Sequence, residues 1–142
     1  GQGRKRYAGA SQSPLVDGDA RCPLWGVHEA VARPGEVIAD LVELEDGSRW
    51  FTQSRSVAAP GASGSGTPAR FAVCVGVDAK VAAPLIAARG LDLMRSPATP
   101  IGLGCRRCTR TGCVQRSTPP LGRPLRFREG ERGVSAFDFA GD

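Results

Sequence analysis

The chain is poor in the residues from which most catalytic sites are built. It holds one histidine, His28, in 142 residues. Glu29 stands beside it and Cys22 lies six positions upstream, but no signature of a Cys–His nucleophile surrounds them. No two carboxylates fall in a pocket-like pattern, and the Gly-Leu-Gly at 102–104 is too short to cradle a phosphate. These absences argue against an enzyme. Aromatics make up only 6% of the chain, so a core must rest on Val, Leu, Ile and Ala. No apolar run approaches the roughly 20 residues of a membrane helix. The basic start, Gly1 to Ala10, is not followed by the apolar stretch of a signal peptide. The expectation is a cytoplasmic protein without membrane association. An even cysteine count favours a disulfide framework, whereas this chain has five, so reduced thiols are expected. The first residue is Gly rather than Met, which leads us to expect a fragment of a longer protein.

What the chain does have is arginine near its end. From Ile101 to Arg132 eight arginines face two acids, a local excess of +6 against +5 for the whole chain. Such a cluster suits an anionic partner: nucleic acid, a phosphorylated ligand, or an anionic metal–sulfur centre.

Residues 1–20 are rich in Gly, Ser and charge and read as a flexible lead-in from an upstream region. Residues 21–142 read as the domain proper. "VHEAVA" predicts a short helix closed by Pro34-Gly35. "EVIADLVEL" and "SRWFTQSRSV", joined across Asp46-Gly47, predict a β-hairpin. Residues 58–69 read as a linker. "RFAVCVGV" is apolar on both faces and predicts a central third strand. "DAKVAAPLIAARG" predicts a helix capped by Asp78, with Val81, Leu85 and Ala88 on one face and Pro84 in its first turn or at a kink. Trp25, Trp50, Phe51 and Phe71 read as core. Of the alternating Phe137 and Phe139, one should pack on the sheet. The fold class is α+β: a small antiparallel β-sheet with a few helices and a cysteine-rich metal-binding loop.

That loop is "GCRRCTRTGCVQR", with Cys105, Cys108 and Cys113 spaced C-x2-C-x4-C. Basic neighbours lower thiol pKa and favour the thiolate, the form that binds metal. Three thiolates suit zinc, which needs a fourth ligand, or an iron–sulfur cluster. Spacing leaves the choice open, and the arginines suit an anionic cluster. Cys22 and His28 are candidate fourth ligands, while Cys74, in an apolar strand, reads as a small core residue.

"CPLWGVHEAVARPG", "DGSRWF", "GLGCRRCTRTGCVQR" and "PPLGRPLRFREGERGVSAFDF" follow one another in an order that resembles the C-terminal domain of the short-chain fatty acyl transcriptional regulators. The resemblance runs from about Cys22 to Phe139. It implies upstream domains in the same protein, a helix-turn-helix that binds DNA and a domain that recognises acyl-CoA. This chain would then act on DNA only indirectly, as a redox-sensing module. It further implies a 4Fe–4S cluster on Cys105, Cys108 and Cys113. Arg107, Arg110, Gln115 and Arg116 would donate to cluster sulfides or fix the loop. A homodimer is expected on the same grounds. The alternative is a structural zinc site in the same regulator.

Overall fold

Asp46-Gly47 makes the turn that the sequence predicts. Gly47 takes a φ of 77°, a left-handed conformation open to glycine. The Asp46 carboxylate accepts the Ser48 hydroxyl at 2.6 Å and the Ser48 amide at 2.9 Å. These two bonds, the hydroxyl first, hold Asp46 below the usual carboxylate range. The turn joins β1 (Val37–Glu43) to β2 (Arg49–Ala58), antiparallel from Val37 opposite Arg55 to Glu43 opposite Arg49. In this computed structural model, residues 14–17, 22–58, 70–127, 129–130 and 137–139 are described. Most of the expected lead-in, the linker after Ala58, and Arg128 and Arg132 lie outside them. Of the lead-in, Pro14–Asp17 form a four-residue helix, α1.

The described chain divides into two compact units. One is Leu24–Pro100; the other joins Ile101 onward with the residues up to Pro23. In the first unit, β3 (Arg70–Asp78) pairs antiparallel with β2, and the two-residue β4 (Thr99–Pro100) pairs parallel with β1, giving the order β3-β2-β1-β4. The sheet is therefore mixed and not wholly antiparallel. The chain from Ala79 to Ala98 is long enough to carry β4 to the far side of β1 in β1's own direction. There the Thr99 hydroxyl donates to the Asp40 carboxylate at 3.1 Å.

Helix α2 (Gly26–Ala32) forms where expected and buries Gly26 and Ala30. A Cβ on Gly26 would come within 3.2 Å of Ile38 Cγ2, so a larger residue would press Ile38 back by a few tenths of an ångström. The second expected helix does not form. Asp78 does cap a turn, accepting the Lys80 amide at 2.9 Å. The chain then runs through turns and a single 3-10 turn, Ile86–Ala88. Pro84 is the physical reason: it lacks a donor and disfavours helical backbone at Ala83. Of the expected buried face, Val81 and Leu85 are exposed and only Ala88 is buried.

Ala88 belongs to the core cluster, with Leu41, Phe51, Ala79, Ala82 and Leu93. Leu41 and Phe51 face each other across β1 and β2, and the segment after β3 lies over them. Arg49 fastens that segment by donating to the carbonyls of Met94 and Ser96.

β3 is not central. It forms an edge of the sheet, and Phe71, expected in the core, is 55% exposed. Its apolar residues alternate toward a sheet face that the segment after β3 covers only at Val77.

Asp40 is half-buried, and burial raises its carboxyl above the usual range against the lowering effect of Thr99. With the carboxyl raised in the folded state, a cost to folding sets in as pH rises past the ordinary carboxylate value and is complete above the folded-state value. Asp40→Asn is expected to match the parent at acid pH and to exceed its stability progressively as pH rises through the carboxylate range. Urea titrations at several pH values check this; an unchanging difference contradicts it.

Candidate functional site

The cysteine loop lies in the second unit and is shaped by two glycines. Gly104, buried at φ 117°, lets the chain enter a tight turn in which the Arg107 and Cys108 amides both donate to the Gly104 carbonyl at 3.0 Å. Cys105 and Cys108 therefore stand on one turn, and both are buried. Gly112, at φ 69°, reverses the chain before Cys113, which is half-buried. The Leu121 amide donates to the Arg106 carbonyl at 2.7 Å and ties the loop to the Pro-rich stretch behind it.

Arg116 is the centre of this arrangement. Its side chain is buried, with 7% of the residue exposed. Nη1 donates to the Cys105 carbonyl at 2.9 Å. Nη2 donates to the carbonyls of Cys108 at 3.1 Å and Arg110 at 2.7 Å, and lies 3.9 Å from the Cys108 sulfur. The guanidinium also stacks on the Phe139 ring, 4.8 Å from its centroid. One planar fork thus fixes three consecutive stretches of the loop, a geometry open to arginine and closed to lysine.

The Ser117 hydroxyl donates to the Cys105 sulfur at 3.4 Å. Burial pushes the Cys105 thiol up, but the Ser117 hydroxyl, the backbone of Ser117 and Thr118, and the Arg116 charge outweigh it. They hold the thiol below its ordinary range. Cys74 behaves oppositely: burial pushes its thiol up against the Ser54 and Trp25 side chains. The surroundings of Cys105 favour the thiolate, and those of Cys74 do not.

Among the other residues singled out in the sequence, Arg107 and Gln115 are exposed and Arg110 is half-buried. Cys22 is buried in the unit that holds the loop, while His28 is exposed on α2 in the sheet unit. Among the described residues no three His, Cys, Asp or Glu side chains form a group that could hold a metal ion. Sequence reasoning missed Ser117 and the partner of Arg116. Phe139 is buried beneath that guanidinium and bridges Leu125, so it packs on the loop's arginine. Only its alternation with Phe137 hinted that it faces inward.

Residues 1–137 match the family described as "Short-chain fatty acyl coenzyme A regulator, C-terminal". The chain belongs to this family. Among its relatives, the propionyl-CoA carboxylase regulator of Cereibacter sphaeroides is 40% identical over 117 residues, covering 82% of this chain and 25% of that protein. The HTH-type transcriptional regulator RamB of Mycobacterium tuberculosis is 38% identical over 119 residues, with the same coverage. A solved structure, "Mycobacterium tuberculosis transcriptional regulator", superposes with a TM-score of 0.72 at 35% identity, covering 80% of this chain and 35% of that one. The chain thus spans about a quarter of the length of the curated relatives it matches. Both relatives are regulators rather than enzymes, and RamB is a transcriptional one. Among the described residues, no helix is long and apolar enough to cross a membrane.

Proposed function

We propose that this chain is the C-terminal sensory domain of a cytoplasmic transcriptional regulator of short-chain fatty acyl metabolism. In this reading it binds a 4Fe–4S cluster through Cys105, Cys108 and Cys113 and biases DNA binding by a helix-turn-helix domain elsewhere in the protein. The observation that carries the reading is the thiolate-favouring surroundings of Cys105, built by Arg116 and Ser117. Such surroundings fit an anionic iron–sulfur centre in donor chemistry. When bound, a cluster of this kind supplies a redox- and oxygen-sensitive charge.

The residues of the chain have definite parts in this. Cys105, Cys108 and Cys113 would supply thiolates. Arg116 holds the carbonyls behind two of them and carries a positive charge within reach of the Cys108 sulfur. Ser117 donates to the Cys105 sulfur, as a hydrogen bond to a ligand sulfur tunes potential. Cys22 and His28 are the candidate fourth ligands. Because the described side chains form no ready-made metal group, binding has to draw the loop in, and ordering of residues 104–116 is then part of the binding free energy. That ordering is the route by which cluster state would reach the other domains.

Anaerobic reconstitution with iron and sulfide tests the proposal. A broad visible charge-transfer band is expected in the parent and is lost in Cys105→Ser, Cys108→Ser and Cys113→Ser. Of Cys22→Ser and His28→Ala, the one that weakens the band marks the fourth ligand. A parent that stays colourless contradicts the reading.

A further inference from the structure

The outer edge of β3 has no neighbour among the described residues. It is a nine-residue strand, long for an unprotected edge, and it carries no lysine or proline to deter pairing. Phe71 and Val75 are 55% and 66% exposed, Val73 is 47% exposed, and Val57 beside Phe71 is 38% exposed. Together they leave an apolar strip along one sheet face.

The hydrogen-bond phase of this edge is fixed by its neighbour. The Ala79 amide donates to the Arg49 carbonyl at 2.9 Å, and Arg49–Ala79 continues the β2–β3 register. Hydrogen-bonded pairs recur at every second residue of an antiparallel ladder. Odd-numbered residues of β3 therefore turn their amides and carbonyls to β2. Arg70, Ala72, Cys74, Gly76 and Asp78 turn theirs outward.

This set of outward groups is complementary to itself. If a second β3 lies antiparallel with Cys74 opposite Cys74 of the second copy, Ala72 faces Gly76 and Arg70 faces Asp78. All the outward backbone groups are then in register. The pairing also sets a guanidinium against a carboxylate at both ends, and opposite charges in directly facing positions stabilise a sheet. On the apolar face, Val73 meets Val75 and Phe71 meets Val77. Neither Arg70 nor Asp78 has an ion-pair partner among the described residues. The charge pattern favours a second copy over an unrelated strand, since one strand bears both the cation and the anion at matching ends.

We propose that the β3 edge is a homodimer interface, with two copies of the chain pairing antiparallel about Cys74 into one continuous sheet. The resemblance implies a homodimer and gives no interface; this assignment stands on the strand itself and is independent of the cluster. Sedimentation equilibrium of the chain over a concentration series tests it, with circular dichroism as the check on folding. The parent is expected to be dimeric. Val75→Lys should be monomeric at concentrations where the parent is dimeric, because it sets a charge in the middle of the strip. Arg70→Glu should weaken the dimer by facing carboxylate with carboxylate. Ala72→Pro removes an outward amide and costs β2 no bond, so it should also give a monomer with the parent's spectrum. If Ala72→Pro alters the spectrum, Val75→Lys and Arg70→Glu decide. A parent that is monomeric throughout, or a dimer indifferent to these substitutions, overturns the proposal.

Discussion

Arg116→Ala is expected to lose about 3–5 kcal/mol of stability, because hydrogen bonds from a charged group contribute about 1.5–3 kcal/mol each and Arg116 makes several. The substitution deletes the donors to the carbonyls of Cys105, Cys108 and Arg110 together. The Cys105 and Cys108 bonds are buried and the Arg110 bond is part-buried. The stack on Phe139 goes with them. Arg116→Lys should recover little, since an ammonium is a point donor and cannot span three carbonyls. Hydrogen exchange at residues 104–116 gives the local readout: fast exchange in both variants is expected, and parent-like protection in Arg116→Lys contradicts the role given to the fork.

Phe51→Ala is expected to cost about 3–5 kcal/mol, as large-to-small changes of buried aromatics do. Phe51 is 2% exposed and is surrounded by Ala79, Ala82 and Ala88 as well as Leu41 and Leu93. Alanines have no side chain to swing into the space, so the cavity stays open and the cost falls at the upper part of the range. Phe71→Ala is the control. Phe71 is mostly exposed on β3, and its removal should change monomer stability by no more than about 0.5 kcal/mol. Thermal denaturation of the two variants at concentrations too low for a dimer separates them; equal losses there would mean that β3 is covered on both faces within one copy.

That contrast also marks where the sequence stops being readable. The hairpin was legible because Asp46-Gly47 is a local instruction, satisfied by Gly47's φ and Ser48's two donors. Helix α2 was legible because Pro34-Gly35 closes it. The position of β3 was not, because an apolar strand reads alike whether a partner covers it or only water does. The run after Asp78 looked helical by its alanines, and a single proline outweighed them. At the site, the thiol spacing was visible and so was the arginine excess. Which arginine mattered was not, because Arg106, Arg107, Arg110 and Arg116 are equivalent on paper. In the folded loop the turn at Gly112 brings Arg116 back to the carbonyls of Cys105, Cys108 and Arg110. Ser117 and Phe139 were out of reach for the same reason, since each acts through a contact that the folded loop creates.

The most direct measurement is the iron, zinc and acid-labile sulfide content of the protein purified without oxygen. The account predicts iron and sulfide in equal amounts, with both lost in Cys113→Ser. Zinc without sulfide, bound by the same three cysteines, would contradict the sensing role and leave the loop as a structural staple.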